Sequence, residues 1–271
     1  MLKSRPDIPG GRRKVKTPML IIKPIASGSS GNCMYVEING FRLLIDAGIP
    51  AKHIGAGLAE AGVTPAELDA VIITHTHSDH VGGLAVLEKK ICCPVYLSEL
   101  SCAKLYSPEK RVLVPGRREE IGGGVFVTAF ETSHDCPGSL GFRLDSGGVS
   151  LGYATDLGFV PEEMRELFKG AGHIVIESNH DEEMLKNGPY PFKLKRRILS
   201  DAGHLSNRAC GEAMAYFAEN GTADFYLAHL SEENNRPSLA LANAREALKG
   251  HDANVTLLSR YGNDALVFAE E

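Results

Sequence analysis

The interpretation of this sequence begins with one stretch, Thr74-His75-Thr76-His77-Ser78-Asp79-His80. It follows a β-branched run at 71–73 that predicts a buried strand, so the histidines begin where that strand ends. Because side chains two apart on extended backbone point the same way, His75 and His77 can hold one metal ion. Asp79 and His80, after the chain turns, can face a second ion. A polar loop whose histidines never meet a metal is disfavoured by this density of ligand-type residues.

The spacing His-x-His-x-Asp-His resembles that of the metallo-β-lactamase superfamily. The superfamily pattern continues with a lone His, then an acid or Cys at a strand end, then a final His, and the matching positions here are His134, Asp156 and His229. The resemblance implies two divalent metal ions, zinc or manganese. In that scheme the first ion is held by His75, His77 and His134, and the second by Asp79, His80 and His229. Asp156 would bridge the two ions, where several β-lactamases carry Cys.

The same resemblance implies an α/β (α+β) fold, a four-layer αββα sandwich with the metals at one edge of two sheets. The same order of strand, acidic residue, helix and strand occurs twice in the sequence, and we call this repeat the internal echo. It supports two half-domains that face each other across the site. The first half reads strand, Asp46-Ala47-Gly48, helix, strand and histidine loop; the second reads strand, Asp156-Leu157-Gly158, helix, strand and Glu177. We expect a single domain over 19–271, preceded by a disordered tail at 1–18 that is rich in Arg, Lys, Pro and Gly.

Composition narrows the class of protein. The chain has 271 residues with 43% hydrophobic content, which is enough for a substantial core, and its net charge of −5 means that any nucleic-acid contact must be a local patch. Six cysteines without a CxxC pair or regular spacing indicate reduced thiols and a cytoplasmic protein. No stretch approaches the roughly 20 apolar residues needed to cross a membrane.

Local signals predict several elements away from the histidines. Asn39-Gly40 predicts a tight hairpin, and Ser27-Gly28-Ser29-Ser30-Gly31-Asn32 predicts a structural turn in preference to a phosphate cradle, because it lacks the Lys-Ser/Thr ending of a P-loop. Thr64-Pro65-Ala66-Glu67 supplies a capping box for a short helix. The last two strands, at 255–258 and 265–268, are expected to finish the second sheet.

The metal ligands do not choose the substrate, because two ions fit the hydrolysis of esters, thioesters, lactams and phosphodiesters alike. Two ions lower the pKa of a water between them, which would then act as hydroxide. We expect Asp79 to be both a metal ligand and a catalytic residue. The segments 200–207 and 229–237, with 178–181 and 188–191, resemble the YycJ/WalJ group of small exonucleases of this superfamily. That resemblance covers the chain from about residue 19 onward.

The resemblance to these nucleases makes His204 a candidate proton donor and Glu177 its possible partner. His204 as a merely satisfied loop histidine is the alternative. Four cations between Glu177 and His204 are placed to bind a phosphate backbone. They are Lys193, Lys195, Arg196 and Arg197. The alternative is that they only form a solvent-exposed surface, as runs of charged residues usually do. The implied function is a metal-dependent phosphodiesterase, a 5′–3′ exonuclease acting on nucleic acid, with DNA as the expected substrate.

Two other classes of protein stay open at this point. A thioester or lactone hydrolase of glyoxalase II type would share every ligand but would not need the basic segment. The chain also lacks an evident C-terminal helical substrate domain of the kind such an enzyme carries. A non-catalytic metal-binding or scaffold protein is the other alternative, and the complete ligand set disfavours it.

Overall fold

The computed structural model describes residues 19–269 except 106, 108, 261, 263 and 264. The tail expected at 1–18 lies outside the described residues, and the single domain over 19–271 stays a prediction. The strands are β1 Met19–Ala26, β2 Cys33–Ile38, β3 Phe41–Ile45, β4 Ala70–Ile72, β5 Val95–Leu97, β6 Lys110–Val112, β7 Arg118–Gly122, β8 Val125–Glu131, β9 Leu140–Ser146, β10 Val149–Ala154, β11 His173–Glu177, β12 Asp224–Ala228, β13 Asn254–Leu257 and β14 Leu266–Ala269. The helices are α1 Ala51–Glu60, α2 Ser78–Val81, α3 Leu84–Leu87, α4 Glu99–Lys104, α5 Glu162–Phe168, α6 Glu182–Asn187, α7 Phe192–Ile198, α8 Asn207–Glu219 and α9 Pro237–Ala247.

The described strands form two mixed sheets of seven strands each. The first has the order β14-β1-β2-β3-β4-β5-β6 and the second the order β13-β12-β11-β10-β9-β8-β7. Within the first sheet β3, β4, β5 and β6 run parallel, and within the second β10, β11, β12 and β13 run parallel. The carboxyl ends of parallel strands meet at one edge of a sheet, so the loops that follow these strands begin next to one another along that edge.

Because successive side chains point to opposite faces of a strand, the buried apolar residues form three separate core clusters. On β3 and β10 the side chains of Ile45 and Tyr153 point between the sheets, whereas Leu44 and Ala154 point outward. Helices α1 and α3 cover the outer face of the first sheet, and α5, α8 and α9 cover that of the second. The result is the predicted four-layer αββα sandwich.

Two local predictions from sequence are confirmed. Asn39 and Gly40 both have positive φ (53° and 90°), as a two-residue turn requires, and they join β2 to β3. The capping box of Thr64 and Glu67 is present, with Glu67 Oε2 accepting hydrogen bonds from Thr64 N at 2.9 Å and Oγ1 at 2.7 Å. The helix that it begins is a single 3-10 turn, Pro65–Glu67.

Two expectations need correction. The last strand does not finish the second sheet: β14 pairs antiparallel with β1 at the edge of the first sheet, where Leu266 and Phe268 pack on the inter-sheet core. The histidine stretch is not wholly a loop, because Ser78–Val81 forms a helical turn. The basic segment, to which the sequence analysis assigned no secondary structure, is helical and forms most of α7.

The six cysteines are free thiols, four of them buried. Among the described residues, no helix is both long and apolar enough to span a bilayer.

Candidate metal centre

The parallel strands of both sheets deliver the candidate ligands at their carboxyl ends. Strand β4 leads into His75, β10 into Asp156, and β12 into His229. Asp156 and His229 have positive φ, at 58° and 56°, and so does Asp46 at the end of β3, at 59°. Positive φ is uncommon outside glycine and costs energy, so its recurrence at these strand ends marks a site at which side-chain direction matters.

The three histidines expected at the first ion converge. His77 Nδ1 lies 3.1 Å from His75 Nε2 and 3.3 Å from His134 Nε2. His77 Nδ1 carries either one hydrogen or one lone pair, so it can form a full hydrogen bond with only one of the other two nitrogens. A shared cation satisfies all three.

The residues expected at the second ion also meet. Asp79 Oδ2 lies 3.6 Å from His80 Nε2 and 4.0 Å from His229 Nε2. Asp156 lies between the two sets, with Oδ2 3.3 Å from His80 Nε2 and Oδ1 3.9 Å from His134 Nε2. Oδ1 also lies 3.5 Å from His229 Nδ1, so the carboxylate is within 4 Å of histidines from both sets, as a shared ligand requires. The ligand roles themselves stay a prediction.

Each of four histidines is held at Nδ1, which leaves Nε2 to face the centre. His75 Nδ1 lies 3.1 Å from Thr74 Oγ1, and His134 Nδ1 lies 3.3 Å from the Gly203 carbonyl oxygen. His80 Nδ1 lies 2.8 Å from Asp46 Oδ2, and His229 Nδ1 lies 2.7 Å from Glu177 Oε1. Partners of this kind fix the tautomer and the ring direction of metal-binding histidines.

The charges and unpaired atoms of the centre fit a cation. Asp156 Oδ2 and His229 Nε2 are buried without a hydrogen-bond partner among the described residues. Burial would raise the pKa of Asp156, but the neighbouring histidines, His229 foremost, hold it well below its usual range. Burial would lower the pKa of His229, but Asp156 and Glu177 raise it to about 10. The centre thus demands positive charge, which divalent cations supply.

His204 and Glu177 lie together, as the sequence suggested. Glu177 is fully buried, and its Oε1 accepts from His204 Nδ1 at 2.8 Å as well as from His229 Nδ1. Burial alone would lower the pKa of His204, but Glu177 and then Asp156 raise it. With Nδ1 engaged, Nε2 of His204 is the nitrogen left for a substrate.

The centre opens into a cavity of about 470 Å³. His204 and Arg197 line it together with five of the candidate ligands, which are His77, Asp79, His134, Asp156 and His229. Of the four predicted basic residues, Arg197 is the one that lines this cavity within the described part of the chain, and it pairs with Asp135. Lys195 donates instead to the Lys186 carbonyl oxygen at 2.7 Å, and the Arg196 guanidinium lies 5.9 Å from the centre of the Phe192 ring.

Sequence reasoning missed several residues that hold the site. Asp46 orients His80, Asn32 Nδ2 lies 3.0 Å from His80 Nε2, and Ser27 Oγ accepts from His229 N at 2.9 Å. The serine-rich turn therefore contacts candidate ligands, and its Ser29 lines the cavity, while its assignment as a structural turn stays a prediction. Asp135 lies 3.7 Å from His77 Nε2 and pairs with Arg197. The internal echo, which aligns Asp46 with Asp156, was the one signal that singled out Asp46.

Comparison with known proteins agrees with this geometry. Residues 41–230 match the family model of the beta-lactamase superfamily domain. Exodeoxyribonuclease WalJ of Streptococcus pneumoniae is 40% identical over 225 residues, which cover 80% of this chain and 83% of that protein. Exodeoxyribonuclease YycJ of Bacillus anthracis is 37% identical over 232 residues, which cover 83% and 88% respectively.

A solved structure shows the same fold at low identity. The metallo-beta-lactamase fold protein YhfI from Bacillus subtilis is similar with a TM-score of 0.70 and 18% identity, covering 93% of this chain and 99% of that one. The ligand pattern, the four-layer fold and the sequence relatives all indicate the same superfamily. The chain belongs to the beta-lactamase superfamily, in the branch with the metallo-β-lactamase fold that includes the exodeoxyribonucleases WalJ and YycJ.

Proposed function

We propose that this chain is a two-metal phosphodiesterase that degrades DNA from a 5′ end. The observation that carries the proposal is that one cavity combines converging ligands with His204 and Arg197. Phosphodiester hydrolysis needs a cationic centre, a proton for the leaving oxygen and a countercharge for the phosphate. The names of the two relatives, both exodeoxyribonucleases, support the choice of substrate.

The proposed ligand set follows the convergence of the side chains. His75, His77 and His134 would hold one divalent ion, zinc or manganese, and Asp79, His80 and His229 would hold the other, with Asp156 shared. Bound divalent ions lower the pKa of a water and neutralise the charge that develops on phosphate oxygens. The chain contributes rigidity, because Asp46 and Glu177 prevent His80 and His229 from rotating.

His204 is the proposed proton donor. Its Nδ1 is held by Glu177, so a proton on Nε2 faces the cavity and can pass to the oxygen that leaves the phosphate. Arg197, held by Asp135, would lie against a phosphate oxygen. The other three cations, Lys193, Lys195 and Arg196, would act at longer range on the polymer.

A digestion experiment tests the proposal. Single-stranded and duplex DNA of one sequence, labelled at the 5′ or the 3′ end, is incubated with the protein plus manganese or zinc, and the products are sized over time. Early release of labelled mononucleotide from the 5′ label alone is the expected result, and chelation should abolish it. Asp79→Asn serves as the control for contaminating nuclease.

Two substrates probe the competing assignments. RNA of the same sequence tests whether the sugar is selected, and a hydroxyacyl thioester tests the glyoxalase type of activity. Thioester turnover without DNA cleavage would overturn the proposal in favour of a small-molecule hydrolase. Absence of hydrolysis on every substrate with metal bound would favour a binding protein.

A further inference from the structure

The cavity has a second wall that the metal chemistry does not use. It is built by the turn before α7, by α7 itself and by the loops that follow β11 and β12. Its residues are Tyr190, Leu194, Ile198, Asn179 and Ser231. A phosphate bound at the ions needs charge and hydrogen-bond donors, so an aromatic ring and two aliphatic side chains at the same opening require a different explanation.

The apolar part of this wall comes from one face of a helix. Leu194 and Ile198 are four residues apart on α7, so they lie on the same side, and Arg197 is adjacent on the helix surface. Tyr190 precedes the helix and is half-buried. Its hydroxyl has no hydrogen-bond partner in the described part of the chain. The ring therefore adds a free aromatic surface to the cavity next to the cation that we assign to phosphate.

The polar part of the wall has unused hydrogen-bonding capacity. Asn179 is 4% exposed and donates from Nδ2 to the His229 carbonyl oxygen at 3.0 Å, and no described residue donates to its Oδ1. Ser231 accepts from Asn234 N at 3.2 Å, which leaves its own hydroxyl hydrogen available. An acceptor and a donor beside an aromatic and aliphatic surface match the edge and the face of a nucleobase.

The wall is also tied to the centre. Asn179 bonds to the backbone of His229, and Ser231 N donates to the Asn179 carbonyl oxygen at 2.8 Å. Asn179 N in turn donates to the carbonyl oxygen of Leu205, the neighbour of His204, at 2.9 Å. Because these bonds link the wall to a candidate ligand and to the candidate proton donor, a group bound there has a fixed position relative to the cleaved bond.

We propose that this wall is a nucleobase pocket, in which the base of the terminal nucleotide stacks on Tyr190 and its polar edge meets Asn179 and Ser231. The proposal rests on the proposed exonuclease function. Stacking on a ring tolerates any base, so Tyr190 favours nucleotides over other phosphodiesters whatever the base. Tyr190 is thus assigned as a specificity residue that contacts the substrate and takes no part in the chemistry.

The test pairs a change in the protein with a change in the substrate. Tyr190→Ala, Tyr190→Phe and the full-length parent are compared on two single-stranded oligonucleotides. One is ordinary, and the other lacks only the base of its terminal nucleotide. Phe192→Ala is the matched control, because Phe192 is an aromatic residue two positions away that is 72% exposed and does not line the cavity.

On the ordinary oligonucleotide, Tyr190→Ala should raise KM roughly 10- to 100-fold, the range expected for one lost base–aromatic stack. Tyr190→Phe, which keeps the ring, and Phe192→Ala should stay near the parent. On the abasic oligonucleotide, the parent should lose the same factor, and the difference between the parent and Tyr190→Ala should disappear.

Two outcomes overturn the inference, and they separate it from the proposed function. If Tyr190→Ala loses the same factor on both oligonucleotides, or Tyr190→Phe loses as much as Tyr190→Ala, the ring does not hold a base, while the exonuclease assignment stands. If the parent hydrolyses bis(p-nitrophenyl) phosphate but neither oligonucleotide, the exonuclease assignment fails and the base pocket fails with it.

Discussion

Asp46 and His80 form a buried pair, in which Oδ2 of the carboxylate lies 2.8 Å from Nδ1 of the imidazole and both side chains are 0% exposed. Thr74 donates to the same carboxylate from N at 2.8 Å and from Oγ1 at 2.9 Å. The pair directs His80 Nε2 toward Asp79 and Asp156. Glu177 does the same for His229 from the second sheet. Each half of the molecule therefore provides one carboxylate that orients a candidate metal-binding histidine, and Glu177 holds His204 as well.

Asp46→Asn should weaken one of the two metal sites. The amide has the size of the carboxylate, but its NH₂ group donates and cannot accept a hydrogen bond. With the amide oxygen accepting from Thr74 N, the NH₂ group faces His80 Nδ1, and His80 loses its fixed direction. Apparent affinity for one ion should fall by roughly 10- to 100-fold, the usual effect of losing such a partner. Metal content after dialysis against graded chelator measures this. Asp69→Asn is the control, because Asp69 is exposed and accepts from the backbone of Arg42. Retention of both ions at parental affinity would remove Asp46 from the site.

Glycine at position 48 is required by close packing. A Cβ there would lie 1.7 Å from the Asp79 carbonyl oxygen, so Gly48→Ala must displace the backbone that carries a candidate ligand. We expect a loss of about 1–3 kcal/mol in the free energy of unfolding, together with lower metal content. Gly158, its counterpart in the echo, is similarly confined, because a Cβ there would lie 2.3 Å from the Asp201 carbonyl oxygen.

Gly55 offers the matched control for this prediction. It lies in the middle of α1, and a Cβ added there would meet no described atom within 4 Å apart from its chain neighbours and the backbone of its own helix. Gly55→Ala should therefore raise the free energy of unfolding by about 0.5–1 kcal/mol, since alanine restricts the unfolded chain and favours the helix. Denaturant unfolding of both variants, with metal analysis, makes the comparison. Equal effects of the two substitutions would contradict the packing argument.

His204→Ala separates a proton donor from a metal ligand. His204 also belongs to a group with Asp156, Glu177 and His229 that could itself hold an ion, so the distinction needs measurement. As a donor, His204 can be removed without loss of metal, and turnover should fall by a factor on the order of 10²–10⁴. Metal content and kcat are measured on the same preparation. If the variant binds one ion fewer than the parent, His204 is a ligand.

His75, His77, Asp79 and His80 were predictable as candidate ligands because they form a dense local motif, whereas His134, Asp156 and His229 were identified through the resemblance to the metallo-β-lactamase superfamily. His75, His77, Asp79 and His80 occupy six positions, and few chemistries other than metal binding need that pattern. The β-branched run at 71–73 likewise predicted β4, and the strands of the internal echo correspond to β3, β10 and β11. Both signals are short-range, and both depend on residues that are close in the sequence.

What sequence could not supply were contacts between distant segments. Asn32 reaches His80 across 48 positions and Ser27 reaches His229 across 202, and neither pairing leaves a local pattern. Strand β14 was misplaced for the same reason, since the edge that it covers on β1 lies at the other end of the chain. Helix α7 was not predicted, although Leu194 and Ile198 are four residues apart, which is a helical spacing.

Arg197 should dominate the salt dependence of DNA binding among the four basic residues of α7. It lines the cavity, whereas Lys195 is engaged with Lys186 and Arg196 lies near Phe192. Each phosphate contact releases about one counterion, so Arg197→Ala should flatten the log–log slope of binding against salt by roughly 0.7–0.9. Binding is measured by fluorescence anisotropy at several salt concentrations without divalent metal. Arg245→Ala, an exposed arginine on α9 with no place in the cavity, controls for net charge. Equal slopes for Arg197→Ala and the parent would mean that the basic residues of α7 only form a solvent-exposed surface. Substrate recognition would then rest on the metal centre and the second wall of the cavity.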